Sequence, residues 1–169
     1  MKEESSWLNE CVKVIPDVRR GRKVTVSYAR TPKNVLARVK GRVLVSREVD
    51  AVRLLLQGEA STRMRRRMPK EYVIQINENI SRIPETALRK QVVQYLIIHE
   101  LFHIFNKDML TLSKRYGRRK KKKIHTSQFD KEVLSKYNKV RINDGIKPIR
   151  NHRVLEEAVN QIVSKVIPS

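Results

Sequence analysis

The chain has 169 residues, a length that suits one compact domain with a substantial core. Its 38 Lys and Arg against 17 Asp and Glu give a net charge of +21, and this excess favours a polyanionic partner, with nucleic acid as the default. A single cysteine excludes a disulfide framework, and the absence of a long apolar run argues against a membrane span, so we expect a soluble, cytoplasmic protein with no membrane partner.

The first third of the chain predicts helix, strand and helical turn in that order. An apolar stripe over residues 7–12 predicts a short N-terminal helix, and the alternation over residues 23–28 predicts a half-buried strand. Thr31 followed by Pro32 resembles a helix start, and Gly41 then resembles its end. We therefore predict a helical turn between Thr31 and Gly41.

The remainder of the chain predicts a strand among four helices. Residues 46–57 predict a helix, residues 71–77 predict the strongest strand, and the longest helix is expected from Pro84 to about Asn106. A helix beginning at Thr126 should end at the turn formed by residues 143–145. A final amphipathic helix is expected over residues 153–166.

The strongest chemical signal is the pentapeptide His99-Glu100-Leu101-Phe102-His103 on the longest predicted helix. Histidines at positions i and i+4 lie on one face of a helix, so both imidazoles can reach the same ion. Zinc prefers such ligands, and a catalytic zinc site uses three protein ligands and a water molecule. Glu100 follows the first ligand, where it can act as general base toward zinc-activated water.

Two residues compete for the place of third ligand. His125 lies 22 residues after His103, immediately before the helix predicted from Thr126. Glu156 lies on the C-terminal helix with Asn160 one turn later, an arrangement similar to the glutamate-donating helix of gluzincins. As an exposed carboxylate near a helix N-terminus, Glu156 also has an ordinary structural explanation.

These motifs together resemble a known group of zinc peptidases. The SprT, WLM and YgjP-like peptidases have features similar to three in this chain: the segment 77–80 after a strand, the run from Tyr95 to His103, and His125 followed four residues later by Phe129. A closer resemblance is to a metallopeptidase family of archaea and phages, which has segments similar to 37–38 and 72–74 and to the run from His99 to Ile104. The chain departs from that family where a lysine run replaces the glycine-rich stretch before the third histidine.

The resemblance implies an α+β, zincin-like fold in which a short sheet packs on the long HExxH helix, with further helices at both ends. It implies zinc on His99, His103 and His125, with Glu100 as the catalytic residue. We assign residues 1–22 to an N-terminal helix and basic segment, 23–142 to the zincin-like domain and 143–169 to a C-terminal helix. Tyr95, Tyr116 and His152 are the candidates for stabilising an oxyanion.

Three basic clusters, each predicted to lie in a loop, suit contact with phosphates. Because aromatic residues are few, contact with the backbone of structured RNA is favoured over stacking on single-stranded bases. The candidate nucleic-acid-binding residues are Arg19, Arg20, Arg22, Lys23, Arg63, Arg65, Arg66, Arg67, Lys70, Lys114, Arg115, Arg118, Arg119, Lys120, Lys121, Lys122 and Lys123.

Two functional hypotheses follow from the motif and the charge. In the first, the protein is a zinc metallopeptidase that acts on a peptide or protein substrate and is brought to it by RNA. In the second, it is a structural protein of the ribosome, or one associated with it, that binds rRNA and keeps a peptidase-like zinc site. An intact Glu100 favours the first hypothesis, and the +21 charge favours the second.

Overall fold

The computed structural model describes Leu8 and the segments 12–14, 23–42, 71–106 and 125–167. The helix expected over residues 46–57 lies outside these ranges. So do all the candidate nucleic-acid-binding residues except Lys23, and so does Tyr116. In the predicted N-terminal helix, the structure describes Leu8 and Val12, which are both helical and buried.

Three strands form a small mixed sheet in the order β1-β3-β2, with β1 at Lys23–Ala29, β2 at Ala37–Arg42 and β3 at Glu71–Asn77. The central strand β3 runs parallel to β1 and antiparallel to β2. The strands predicted at residues 23–28 and 71–77 are therefore confirmed. Their side chains alternate between a buried and a more exposed face, as the period of two residues requires.

The helical turn predicted between Thr31 and Gly41 is wrong. The chain makes only a tight turn, in which the Val35 N–H donates to the Pro32 carbonyl at 2.9 Å and the Thr31 hydroxyl donates to the Val35 carbonyl at 2.6 Å. Gly41 then lies inside β2, where it pairs with Tyr72 of β3. Residues 37–42 alternate small or apolar with basic side chains, and pairing with β3 outweighs the local signals for a helix start and end.

The long helix α1 spans Thr86–Phe105, which confirms the helix predicted from Pro84 to about Asn106. A 3-10 helix at Glu78–Arg82 connects β3 to it. Ile97, Ile98 and Leu101 are fully buried, and α1 packs against the inner face of β3 and β2. His99 and Glu100 therefore lie within the most buried stretch of the helix.

Two further helices complete the described fold: α2 at Ser127–Asn143 and α3 at His152–Val163. The Thr126 hydroxyl accepts a hydrogen bond from the Phe129 N–H at 3.2 Å, so Thr126 is the N-cap of α2 as predicted. The helix α2 buries Phe129, Val133 and Tyr137 against α1. The helix α3 ends three residues earlier than predicted, and residues 164–166 form turns.

The described chain is thus α+β, with a three-stranded sheet and three α-helices. This confirms the predicted class and the packing of a short sheet on a long helix. Within the described ranges, none of the helices combines the length and the apolar character that a membrane crossing requires.

Candidate metal centre

Three of the four histidines in the chain converge on one point. The Nε2 atom of His103 lies 3.2 Å from Nε2 of His99 and 3.1 Å from Nε2 of His125. His99 and His103 come from successive turns of α1, and His125 lies two residues before α2 begins. The potential ligand atoms of all three residues lie within 4.8 Å of one another.

The distances between these nitrogens fit a metal ion better than they fit hydrogen bonds. Each neutral Nε2 atom carries one proton or one lone pair, so His103 cannot satisfy both neighbours with ordinary hydrogen bonds. Zinc bound tetrahedrally at about 2.0–2.1 Å from each nitrogen would separate its ligand atoms by roughly 3.3 Å. The observed separations of 3.2 and 3.1 Å are close to that value.

Burial keeps His99 available as a ligand. Desolvation, reinforced by the neighbouring His103 and His125, lowers the pKa of His99 to about 3. His99 is therefore neutral at physiological pH, the form that binds metal ions. Its Nδ1 atom is buried and has no hydrogen-bond partner among the described residues.

Phe129 packs against all three histidine rings. Its ring centroid lies 5.2 Å from that of His99, 4.8 Å from His103 and 5.1 Å from His125. Phe129 is 3% exposed and belongs to the first turn of α2, which the Thr126 cap fixes. The rigid start of α2 therefore positions both the third histidine and the apolar wall behind the cluster.

Glu100 follows His99 directly in sequence and carries a buried carboxylate. Its side chain lies where α1 packs against β2. Burial raises the pKa of Glu100 to about 7, while a hydrogen bond from the Val39 backbone N–H opposes the increase. A carboxyl group with such a pKa can both accept and return a proton near neutral pH. The Val39 contact could not be predicted from the sequence, because it depends on how β2 lies against α1.

The rival ligand Glu156 belongs to a different group of side chains. Its Oε1 atom lies 3.7 Å from Nδ1 of His152, and the Glu156 side chain is 52% exposed. Nε2 of His152 lies 3.3 Å from the Tyr95 hydroxyl, and the Tyr95 ring contacts the edge of the His99 ring. Among the described residues, His125 and not Glu156 completes the cluster of three potential ligands.

Tyr95 and His152, two of the candidates for oxyanion stabilisation, thus contact each other next to His99. Tyr95 is buried, and desolvation raises its pKa further above the ordinary tyrosine value, with the Glu156 and Asp130 carboxylates adding to the effect. The Tyr95 side chain is therefore a neutral phenol throughout the physiological range.

No protein-family model, curated protein or solved structure matches this chain.

Proposed function

We propose that the protein is a zinc-dependent peptidase with an RNA-binding surface, related to the archaeal and phage metallopeptidases and to the SprT, WLM and YgjP-like enzymes, with a zincin-like fold. One observation carries the peptidase proposal. Nε2 of His103 lies 3.2 Å from Nε2 of His99 and 3.1 Å from Nε2 of His125, and the residue that follows His99 is a buried glutamate with a pKa of about 7. Three imidazole ligands with one position left open are typical of catalytic rather than structural zinc sites.

The three histidines would hold the ion through Nε2, and the wall formed by Phe129 would limit the access of bulk water from one side. A zinc ion bound there would polarise a water molecule and the carbonyl group of a peptide bond. Glu100 would take a proton from the attacking water at its carboxylate and deliver it to the leaving nitrogen.

The position of β2 favours an extended peptide as substrate. β2 is an edge strand of the sheet, and no further strand pairs with its outer side among the described residues. Val39 of this strand contacts Glu100 through its backbone N–H. A peptide that added to this edge as another strand would lie beside the proposed general base.

A second candidate function is that of a structural component bound to rRNA on the ribosome, with the zinc site retained for stability. The net charge of +21 favours this alternative. Both functions require zinc and RNA, and they differ in whether Glu100 carries out chemistry.

The test compares the zinc-loaded full-length wild type with Glu100→Gln, using fluorescein-labelled denatured casein as substrate. The substitution should leave zinc content unchanged and lower the cleavage rate by about 10²–10⁴-fold, the usual contribution of a general base. Glu85→Gln is the matched control, because Glu85 precedes α1, is exposed and makes no capping hydrogen bond through its side chain.

Cleavage by the wild type and the Glu85 variant, abolished by a chelator and by Glu100→Gln, would support the peptidase. Equal cleavage by wild type and Glu100→Gln would overturn the role of Glu100. An absence of cleavage in every zinc-loaded sample would favour the structural alternative.

A further inference from the structure

The described segments differ sharply in charge. Residues 23–42 contain six Lys and Arg and no Asp or Glu, whereas residues 71–106 contain three basic and four acidic residues. Residues 125–167 contain eight basic and five acidic residues. Positive charge in the described fold is therefore concentrated on β1, β2 and the turn that joins them.

The pleat of the sheet directs much of this charge to one side. The side chains of Val24, Val26 and Val39 pack against the core, so their neighbours along each strand point away from α1. We call this side the outer face of the sheet. Its residues are Lys23, Thr25, Ser27, Arg38, Lys40, Arg42, Glu71, Val73 and Gln75.

Strand pairing arranges the outer face in three rows, each with at least one basic residue. Glu71 pairs with Lys23 on one side and Arg42 on the other, Val73 pairs with Lys40, and Gln75 pairs with Arg38. Successive rows are two residues apart along a strand, or about 6.7 Å. This spacing is similar to that between successive phosphates of a nucleic-acid strand, so the register positions of Arg38, Lys40 and Arg42, which alternate along β2, match consecutive backbone positions of the nucleic acid. Lys23 adds a fourth basic residue in the row of Arg42, on the other side of β3.

The other side chains of the outer face suit a ribose-phosphate backbone. Thr25 and Ser27 expose hydroxyl groups, and Gln75 accepts a hydrogen bond from Nε of Arg38 at 3.0 Å, which holds the guanidinium group in place. No aromatic residue belongs to this face, so it has nothing on which bases could stack. Recognition of double-helical RNA relies on phosphate and 2′-hydroxyl contacts, which are the contacts these side chains can make.

We infer that the outer face of the sheet is a binding surface for the backbone of double-helical RNA. The inference rests on the RNA-binding part of the proposed function and is independent of proteolysis. It places RNA on the face of the sheet that points away from α1, so the peptide would pair with the free edge of β2 while the RNA would contact the outer face.

The test measures fluorescence anisotropy of a labelled RNA duplex of about 20 base pairs, a length that exceeds one double-stranded RNA site. The full-length protein is titrated at several salt concentrations. The sheet variant is Lys23→Gln with Lys40→Gln. The matched control is Lys131→Gln with Lys139→Gln, because both of these lysines are exposed on α2 and the change in net charge is the same.

Loss of two phosphate contacts should lower the salt slope by about 1.8 and weaken binding by roughly 60-fold at 0.1 M salt. The control pair should stay within about three-fold of the wild type, since its lysines make no contact and alter only the long-range field. Thermal melts of both variants check that neither change disrupts the fold.

A third variant reverses the sign of the expected effect. Glu71 provides the one carboxylate of the outer face as defined above, and it lies 3.9 Å from the Lys23 ammonium group. Glu71→Gln removes a negative charge that repels phosphate and competes for Lys23. It should tighten RNA binding several-fold.

Equal weakening by the sheet and control pairs would overturn the inference while leaving RNA binding itself intact. A wild type that fails to bind RNA would overturn both the inference and the RNA-binding part of the proposed function. A DNA duplex of the same sequence that binds as tightly as RNA, with the same response to the sheet variant, would overturn the assignment to RNA. None of these outcomes depends on casein cleavage, so the peptidase proposal fails or succeeds separately.

Discussion

Zinc should raise the melting temperature of the protein, and His125→Ala should remove most of that increase. A ligand that binds the folded state alone stabilises it by about 4.1 kcal/mol at a free concentration 1,000 times its Kd. For a chain of this size, each kcal/mol raises the melting temperature by roughly 2–4 °C, so zinc should add about 8–16 °C.

The loss expected for His125→Ala follows from the geometry of the cluster. Nε2 of His125 lies 3.1 Å from Nε2 of His103, so the variant lacks one of three ligands. If affinity falls by at least 100-fold, the upper value for residues that only support ligands, zinc at the same concentration stabilises by at most about 1.4 kcal/mol. The increase in melting temperature should then be no more than roughly 3–6 °C.

The assay is differential scanning calorimetry of metal-free protein with and without zinc. The matched control is His152→Ala, which also removes a histidine but one that lies outside the triad, hydrogen-bonded to Tyr95. This variant should keep most of the zinc-induced increase. A zinc response that survives His125→Ala but disappears in His152→Ala would refute the assignment of ligands.

Three further predictions concern the support of the site and the core. Phe129→Ala should lower the free energy of unfolding by about 3–5 kcal/mol in chemical denaturation and also weaken zinc binding, since Phe129 is buried against all three histidines. Unchanged zinc affinity would contradict the role of Phe129 in positioning the ligands. Thr126→Ala should cost about 1 kcal/mol through loss of the α2 cap, and Thr126→Ser should restore it; equal stability of all three proteins would argue against the cap. Burial raises the pKa of Tyr137, so the contribution of its neutral phenol to stability should be complete below about pH 10 and be lost as the pH rises toward the higher pKa of the folded state. Tyr137→Phe should therefore flatten the decline in stability above about pH 10. An unchanged decline in the variant would contradict this prediction.

Helices and strands with a regular apolar period could be predicted from the sequence. Local patterns, which tertiary packing did not override, predict the approximate bounds of α1 and α2, the Thr126 cap and the strands β1 and β3. The segment 37–42 shows the opposite case. Its signals for a helix end depend on single residues, and the strand that forms there depends on a distant partner, β3.

The candidate site was predictable only in part, for a similar reason. The spacing of His99 and His103 fixes their relative position, because both lie on one helix. The choice between His125 and Glu156 could not be made from spacing, since it depends on how α2 and α3 pack. The contact of Glu100 with Val39 joins elements that are distant in sequence, so it has no local signature. Glu156 and His152, by contrast, lie four residues apart on α3, a spacing that the sequence shows.

The metal centre itself is tested most directly by anomalous diffraction at the zinc absorption edge from crystals of the zinc-loaded protein. We predict one strong peak at about 2.0–2.1 Å from Nε2 of each of His99, His103 and His125. A peak coordinated by His152 or Glu156 in place of His125, or no peak at the three histidines in crystals soaked with zinc, would contradict the account.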